Sequence, residues 1–338
     1  MSDRSRDLSR SDVPVDAPPR ADAPSTSRPL ATDAPPPFRP LSTAAQLLAA
    51  AGAQGLVLPS SAPALEQTGL DFLVLHARDA SGQPWVVRTP RRADVVAAAA
   101  REARVLRVLA GRLPVAVPDW RVHAPDVIAY PRLPGMPALD VVDGAPVWHI
   151  DLDALPDALL DGIARALVAL QAVDGAGDGA GLVVKTIEAS REEMAAAMRD
   201  TREALGVGDA LWARWQRWIG DDSFWPPHRA LVHGDLHPGH LLLDERQRLT
   251  GILDWTEACV SDPGIDFAML GGCLGTPALA AIVDRFARAG GRAWPRLLDH
   301  AAERWAAFPA LGAAWALRTG NEVALSFARA QVASSAEV

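Results

Sequence analysis

Cysteine is scarce. The 338 residues contain two, Cys259 and Cys273, and they form no CxxC pair. A disulfide-stapled scaffold is thereby excluded, and both read as reduced, buried thiols of a cytosolic protein. Long apolar runs are missing as well. No stretch approaches the roughly 20 residues needed to span a bilayer, and the N-terminus lacks the apolar segment of a signal peptide. Positive charge has no excess, because 33 Lys and Arg face 41 Asp and Glu for a net charge of −8. A nucleic-acid binder needs basic residues clustered on one face, so that class drops out too. No internal repeat is present. A cytoplasmic, monomeric protein without membrane or nucleic-acid partners is expected.

What is present fits a soluble globular chain: 49% of residues are apolar and 22% charged. At this length one core rarely suffices, so two lobes are expected. Residues 1–40 are rich in Pro, Ser, Asp and Arg and nearly free of bulky apolar side chains. They cannot bury enough surface to offset the entropy of ordering, and they read as a disordered tail with PxxP-like pieces.

Order is expected to begin at "LSTAAQLLAAAG", a helix opened by Ser42 or Thr43 and ended at Gly52. Phe72–Ala77 and Trp85–Arg88 are strand-like, with a turn-rich link at Asp79–Pro84. The Ala-rich run from Asp94 to Ala110 predicts a helix ending at Gly111, and Val127–Tyr130 a buried strand stopped by Pro131. Residues 41–130 thus form a small sheet-plus-helix lobe, and 131–333 a larger helical one. In the latter, Leu159, Leu160, Ile163, Leu167 and Leu170 recur at helical spacing before the glycine-rich "DGAGDGAG". Ser190 with Glu193 suggests a capping box. The stripe Leu211, Trp212, Trp215, Trp218, Ile219 reads as a packed helix face rather than a stacking platform for a ligand. A helical tail runs from Pro277 to about Ala330. The fold class is α+β.

Chemistry concentrates in "LVHGDLHPGHLLLDERQRLTGILDW", Leu231 to Trp255. Leu231–Val232 and Leu241–Leu243 are apolar anchors around a loop broken by Gly234, Pro238 and Gly239. A rigid scaffold can aim polar side chains from such a loop into a cleft. Asp254 ends a further strand. Asp235, His240 and Asp254 therefore converge from two loops. Protein kinases carry H-R-D-x-x-x-x-N followed by D-F-G. Here His233-Gly234-Asp235 keeps His and Asp, His240 stands five residues on, and Asp254-Trp255-Thr256 stands where D-F-G would. The spacing lets the first Asp take or orient the acceptor hydroxyl's proton on the loop that helps hold Mg²⁺, while the second Asp reaches the metal from across the cleft.

These residues resemble the aminoglycoside phosphotransferase-like kinases and, within them, the macrolide 2′-phosphotransferases. The likeness rests on "GLDFLVLHARD", "WVVRTPRRADV", "EARVL", "RLPVAVPDWRV", "IAYPRL", "HGDLHPGHLLLD" and "ILDWTEACVSDPGIDFA", in order over about residues 66–310. It implies a bilobal protein-kinase-like fold with Asp235 as base, and His240 and Asp254 on Mg²⁺. It implies GTP, or ATP, as donor and the 2′-hydroxyl of a macrolide's amino sugar as acceptor. His stands at 240 where the wider family has Asn, although Mg²⁺ prefers oxygen ligands. No G-x-G-x-x-G is present, so "LEQTGLDF" with Gly69 takes the phosphate-loop position. Arg88 occupies the place of the kinase strand lysine with Glu102 as its candidate partner, and a plain surface arginine is the competing reading. Purine binding is expected at the backbone of Ile128, Ala129 and Tyr130. Phe267, Met269, Leu270, Leu274, Trp305 and Phe308 are candidates for an apolar acceptor pocket, though each also suits the core. Two other classes compete. Histidines 233, 237 and 240 with Asp235 suggest a zinc hydrolase, and the fold also suits a silent nucleotide sensor. Asp262 and Asp266 read as helix caps, Asp266 also as a brace for the catalytic loop.

Overall fold

The computed structural model describes residues 39–59, 63–67, 69, 71–142, 144–173 and 181–334. All lie in one compact unit, Phe38–Val338. The expected tail, apart from residues 39 and 40, and all of "DGAGDGAG" but Gly181 lie outside the described residues.

Helix α1 (Ala44–Ala53) opens at Thr43, whose hydroxyl accepts from Gln46 N while the Gln46 amide oxygen accepts from Thr43 N, a reciprocal cap. The smaller lobe is built on a five-stranded antiparallel sheet ordered β1-β2-β3-β5-β4. Its strands are β1 (Ala64–Glu66), β2 (Phe72–Arg78), β3 (Pro84–Pro90), β4 (Val122–His123) and β5 (Ile128–Pro131). Helix α2 (Ala93–Leu109) follows β3. It buries Val95, Ala98, Ala99, Val105, Leu106 and Leu109 at helical spacing, and Glu102 sits in the same buried stripe. A charged residue there needs a partner, which the site supplies. Gly111, at φ +70°, turns the chain away past the helix end.

The chain crosses to the larger lobe through β6 (Met136–Pro137) and the hairpin β7 (Leu139–Val142)–β8 (Ala145–Trp148). Helix α3 (Asp157–Ala172) buries the five apolar residues its periodicity predicts. Helix α4 (Ile187–Leu205) corrects the expected cap. Thr186 accepts from Ala189 N, so the helix starts a turn before Ser190, whose hydroxyl is instead buried and accepts from Arg304. Thr186 also satisfies the capping preference, and packing against Arg304 decided between the two. In α5 (Asp209–Gly220), Trp215 and Trp218 are fully buried, so the tryptophan stripe is core.

Four short strands carry the polar loops: β9 (Ala230–Val232), β10 (Leu241–Leu243), β11 (Leu249–Ile252) and β12 (Cys259–Ser261). β9 pairs with β12, and β10 lies between β11 and β6. Helices α6 (Gly264–Leu274), α7 (Thr276–Arg288), α8 (Leu297–Ala306), α9 (Phe308–Thr319) and α10 (Glu322–Ser334) complete the lobe, so the predicted tail is several helices. Asp262 caps Gly264 N and is buried against His300 Nε2 and Arg304 at 2.9 Å each. Burial alone would raise its pKa, but His300 and the Arg304 guanidinium lower it to about 2. Cys259 is buried, Cys273 partly so, and both are free thiols.

Candidate active site

The loop after β9 is held from beneath. Buried Asp266 accepts from the backbone N–H of His233 and of Gly234, each at 2.9 Å. Burial pushes this carboxyl up to about 7 despite the two donors. Gly234 has φ +88°, and a Cβ there would lie 2.5 Å from the Glu257 carbonyl oxygen, so only glycine fits. His233 is wholly buried. Its Nε2 donates to the Leu253 carbonyl at 2.8 Å, and its Nδ1 accepts from Asp235 N at 3.2 Å. Burial and the neighbouring His240 depress its pKa to about 3, so it stays neutral. It ties the end of β11 to the loop that presents Asp235, whose carboxylate faces the cleft.

Hydrogen bonds fix the other two imidazoles in opposite tautomers. His240 Nδ1 lies 2.9 Å from the Asp235 carbonyl, which can only accept, so Nδ1 carries the proton and Nε2 keeps its lone pair. That Nε2 lies 3.8 Å from Asp254 Oδ2. The spacing is too long for a hydrogen bond and within the roughly 3–4 Å that separates two ligands of one divalent ion. His237 Nδ1 accepts from Gly239 N at 3.1 Å, which leaves the proton on Nε2 toward Asp235. Asp235, His237 and His240 are close enough to surround an ion. In its neutral form, though, His237 has no free lone pair to give, and this argues against a zinc site there. Asp254 itself has φ +56°, a backbone state few non-glycine residues adopt. Although burial acts to raise its pKa, His240 and Arg88 hold the carboxyl below its ordinary value. Thr256 N donates back to Asp254 Oδ1 at 3.3 Å.

Arg88 is no surface arginine. It is 7% exposed and pairs with fully buried Glu102 at 2.5 Å. Its guanidinium lies 4.2 Å from the Phe72 ring centroid and 4.7 Å from that of Trp120. Glu102 also accepts from Thr256 Oγ1 at 3.2 Å, which ties α2 to the residue two past Asp254. Arg88 Nε and Glu102 Oε1 are buried without a hydrogen-bond partner. Orphaned buried polar atoms beside Asp254 fit a site built for charged phosphates and their metal. The chain's single lysine, Lys185, pairs with Glu193 elsewhere, so Arg88 has no lysine competitor for this position.

A cavity of about 800 Å³ joins these groups. Gly69, Phe72, Arg88 and Tyr130 line it from the smaller lobe, and Asp235, His240, Asp254 and Glu257 from the larger. Two expectations need correction. β5 is paired on both edges, with β3 on one side and β4 on the other, and Ala129 O already accepts from Arg121 N. Ile128 and Ala129 are therefore inner-sheet residues; the linker that faces the cavity comes later, at Arg132, Leu133 and Gly135. Phe267, Met269, Leu270 and Leu274 lie in the core and line no part of this cavity. Apart from Asp266, the buried residues of helix α6 are apolar or glycine, and Phe267 meets Phe286 edge-on at 5.1 Å. Trp305 stacks on Phe308 at 5.2 Å, away from the cavity, and Phe308 remains 37% exposed. Glu257 was not foreseen, since a lone glutamate in a loop carries no pattern.

A kinase-like two-lobed fold with a phosphate-facing cleft of this kind defines a phosphotransferase acting on a hydroxyl group. The chain belongs to the phosphotransferase enzyme family, whose profile matches residues 67–300. A solved macrolide 2′-phosphotransferase type I is 40% identical with a TM-score of 0.79, covering 87% of this chain and 99% of its own. The apoenzyme of a macrolide 2′-phosphotransferase from Brachybacterium faecium is 36% identical with a TM-score of 0.78, covering 85% and 97%. An uncharacterized protein of Bacillus subtilis strain 168, YcbJ, is 41% identical over 84% of this chain and 94% of its own. An aminoglycoside phosphotransferase solved with GDP and kanamycin, at 21% identity and a TM-score of 0.67, shares the fold.

Proposed function

We propose that the protein transfers the γ-phosphate of GTP, or of ATP, to the 2′-hydroxyl of a macrolide's amino sugar. In this reading residues 41–130 are the nucleotide-binding lobe and 131–333 the catalytic and acceptor-binding lobe of a cytoplasmic monomer. Asp235 accepts or orients the acceptor hydroxyl's proton, which raises the oxygen's nucleophilicity as it approaches phosphorus. His240 Nε2 and Asp254 would hold Mg²⁺, which when bound offsets charge on the phosphates. Arg88, kept straight by Glu102 and clasped by aromatic rings, offers its guanidinium to phosphate oxygens. His233 and Asp266 fix the loop, so that little reorganisation is needed when the acceptor arrives.

The observation that carries the reading is one cavity flanked by Asp235, His240 and Asp254 on one side and Arg88 on the other. The acceptor class is supported by how the cavity's carboxylates are spent. Glu66 pairs with His76, Asp71 with Arg92 and Asp140 with His149, and Asp254 is taken up by the metal in this reading. Few negative groups remain for the acceptor. An aminoglycoside, with several ammonium groups, needs many; a macrolide brings one dimethylammonium and a large apolar ring. The identity to two macrolide 2′-phosphotransferases supports the same choice. The test is turnover with GTP and ATP against erythromycin and kanamycin, with the product located by mass and NMR. One added phosphate at the erythromycin 2′-hydroxyl is expected. Transfer to kanamycin without transfer to erythromycin overturns the reading in favour of an aminoglycoside kinase.

A further inference from the structure

Glu257 is a carboxylate the mechanism above leaves unused. It lines the same cavity as Asp235 and Asp254. Its place is set by the backbone: Gly234 packs directly under the Glu257 carbonyl, a contact so close that no Cβ fits between them. The residue before the catalytic aspartate and Glu257 are thus fixed against each other. Among the described residues the Glu257 side chain makes no hydrogen bond or ion pair, whereas the cavity's Glu66, Asp71 and Asp140 each have a cationic partner or a histidine. The charges of Asp235 and Asp254 both bear on it, after burial the largest influences on its carboxyl. Arg101 acts on it in the opposite sense without forming an ion pair, so the end of the cleft that presents the catalytic aspartate carries a carboxylate with no directly bonded counter-charge among the described residues.

We infer that Glu257 is the specificity residue that receives the protonated amine next to the reacting hydroxyl of the acceptor. This rests on the reading of the acceptor as an amino sugar and names the group that recognises the amine. The chemistry follows from placement. An acceptor whose hydroxyl meets Asp235 holds the neighbouring ammonium one carbon further on. A carboxylate fixed beside Asp235 then pairs with the ammonium and orients the hydroxyl, while Asp235 stays free for the proton. Charge-assisted hydrogen bonds are stronger than neutral ones. The alternative, that Glu257 is a further metal ligand, makes a different prediction, since it would act on the nucleotide.

A two-by-two comparison separates these roles. Wild type and Glu257→Gln are assayed with erythromycin and with an analogue whose amine has been demethylated and acetylated, which keeps the hydroxyl and removes the charge. Wild type is expected to show a KM for erythromycin at least about tenfold below that for the neutral analogue. Glu257→Gln should raise the erythromycin KM about tenfold, leave the analogue nearly unaffected, and keep both the melting temperature and the KM for Mg²⁺-GTP. Equal losses on both acceptors overturn the inference, as does an unchanged erythromycin KM. A rise in the Mg²⁺-GTP KM with acceptor KM unmoved also overturns it and assigns Glu257 to the metal. Wild type that phosphorylates kanamycin but neither macrolide overturns the acceptor reading, and the inference falls with it. Wild type that phosphorylates erythromycin while the variant behaves identically sinks the inference alone.

Discussion

Glu102→Gln is the sharpest perturbation of the smaller lobe. The substitution keeps shape and removes one charge, leaving Arg88 buried without the carboxylate it pairs with at 2.5 Å. Removing one partner of a buried pair costs about 3–5 kcal/mol. Here the glutamine oxygen can still accept a hydrogen bond, and the guanidinium keeps the Phe72 and Trp120 faces at 4.2 and 4.7 Å. Such contacts retain about 1–2 kcal/mol, so the net loss should be about 2–3 kcal/mol. At roughly 2–4 °C per kcal/mol for a chain of this size class, melting should fall by about 5–10 °C. Arg88 would also lose its direction, so KM for the nucleotide should rise several-fold while kcat changes less. Differential scanning calorimetry and donor-varied kinetics read both. A melting shift under about 2 °C together with an unchanged donor KM would refute the claim that Glu102 holds Arg88 for the phosphates.

Other substitutions probe the rest of the site. Gly234→Ala places a Cβ 2.5 Å from a backbone oxygen at φ +88°, so kcat should fall by a factor of roughly 10² or more while circular dichroism shows the fold retained; wild-type-like turnover would contradict the packing. Asp254→Ala should abolish transfer and weaken Mg²⁺-nucleotide binding together, as isothermal titration can show. His240→Asn should keep appreciable activity, because an amide oxygen suits Mg²⁺, and equal inactivity of both variants would mean that the imidazole has another task. Asp262 supplies a pH test. Its folded pKa of about 2 lies below the ordinary carboxylate value, so its stabilisation is complete above about pH 4 and is lost as pH falls toward 2. Denaturant unfolding should show Asp262→Asn less stable than wild type at pH 6, with the gap shrinking below pH 4. A gap constant down to pH 2.5 would rule out the ion pair with Arg304.

The loop from His233 to His240 was legible because its chemistry is local: spacing puts an aspartate and a histidine on one turn between apolar strands. The smaller lobe was legible for the same reason, since Phe72–Arg78 is a mostly apolar run next to a turn-rich segment and Val95 to Leu109 keeps a helical period. What failed depended on tertiary partners. Ser190 looked like a cap until Arg304, 114 positions away, claimed its hydroxyl. Phe267, Met269, Leu270 and Leu274 were weighed singly, although the helical spacing of Phe267, Leu270 and Leu274 already suits one core face. Ile128 and Ala129 lost their binding role to a strand, Val122–His123, too short to announce itself. Glu257 was invisible because its meaning comes from Gly234 and from partners it lacks.

The most direct test of the account is the rate of phosphate transfer by Asp235→Asn, measured with saturating Mg²⁺-GTP and erythromycin beside a melting curve. The account predicts kcat lower by a factor of about 10²–10⁴, with melting within a few degrees of wild type, because the Asp235 carboxylate faces the cavity and meets His237 and His240 only at 3.9 Å. A variant that keeps more than about a tenth of the wild-type rate with unchanged melting would contradict Asp235 as the base, and with it the chemistry assigned to this cleft.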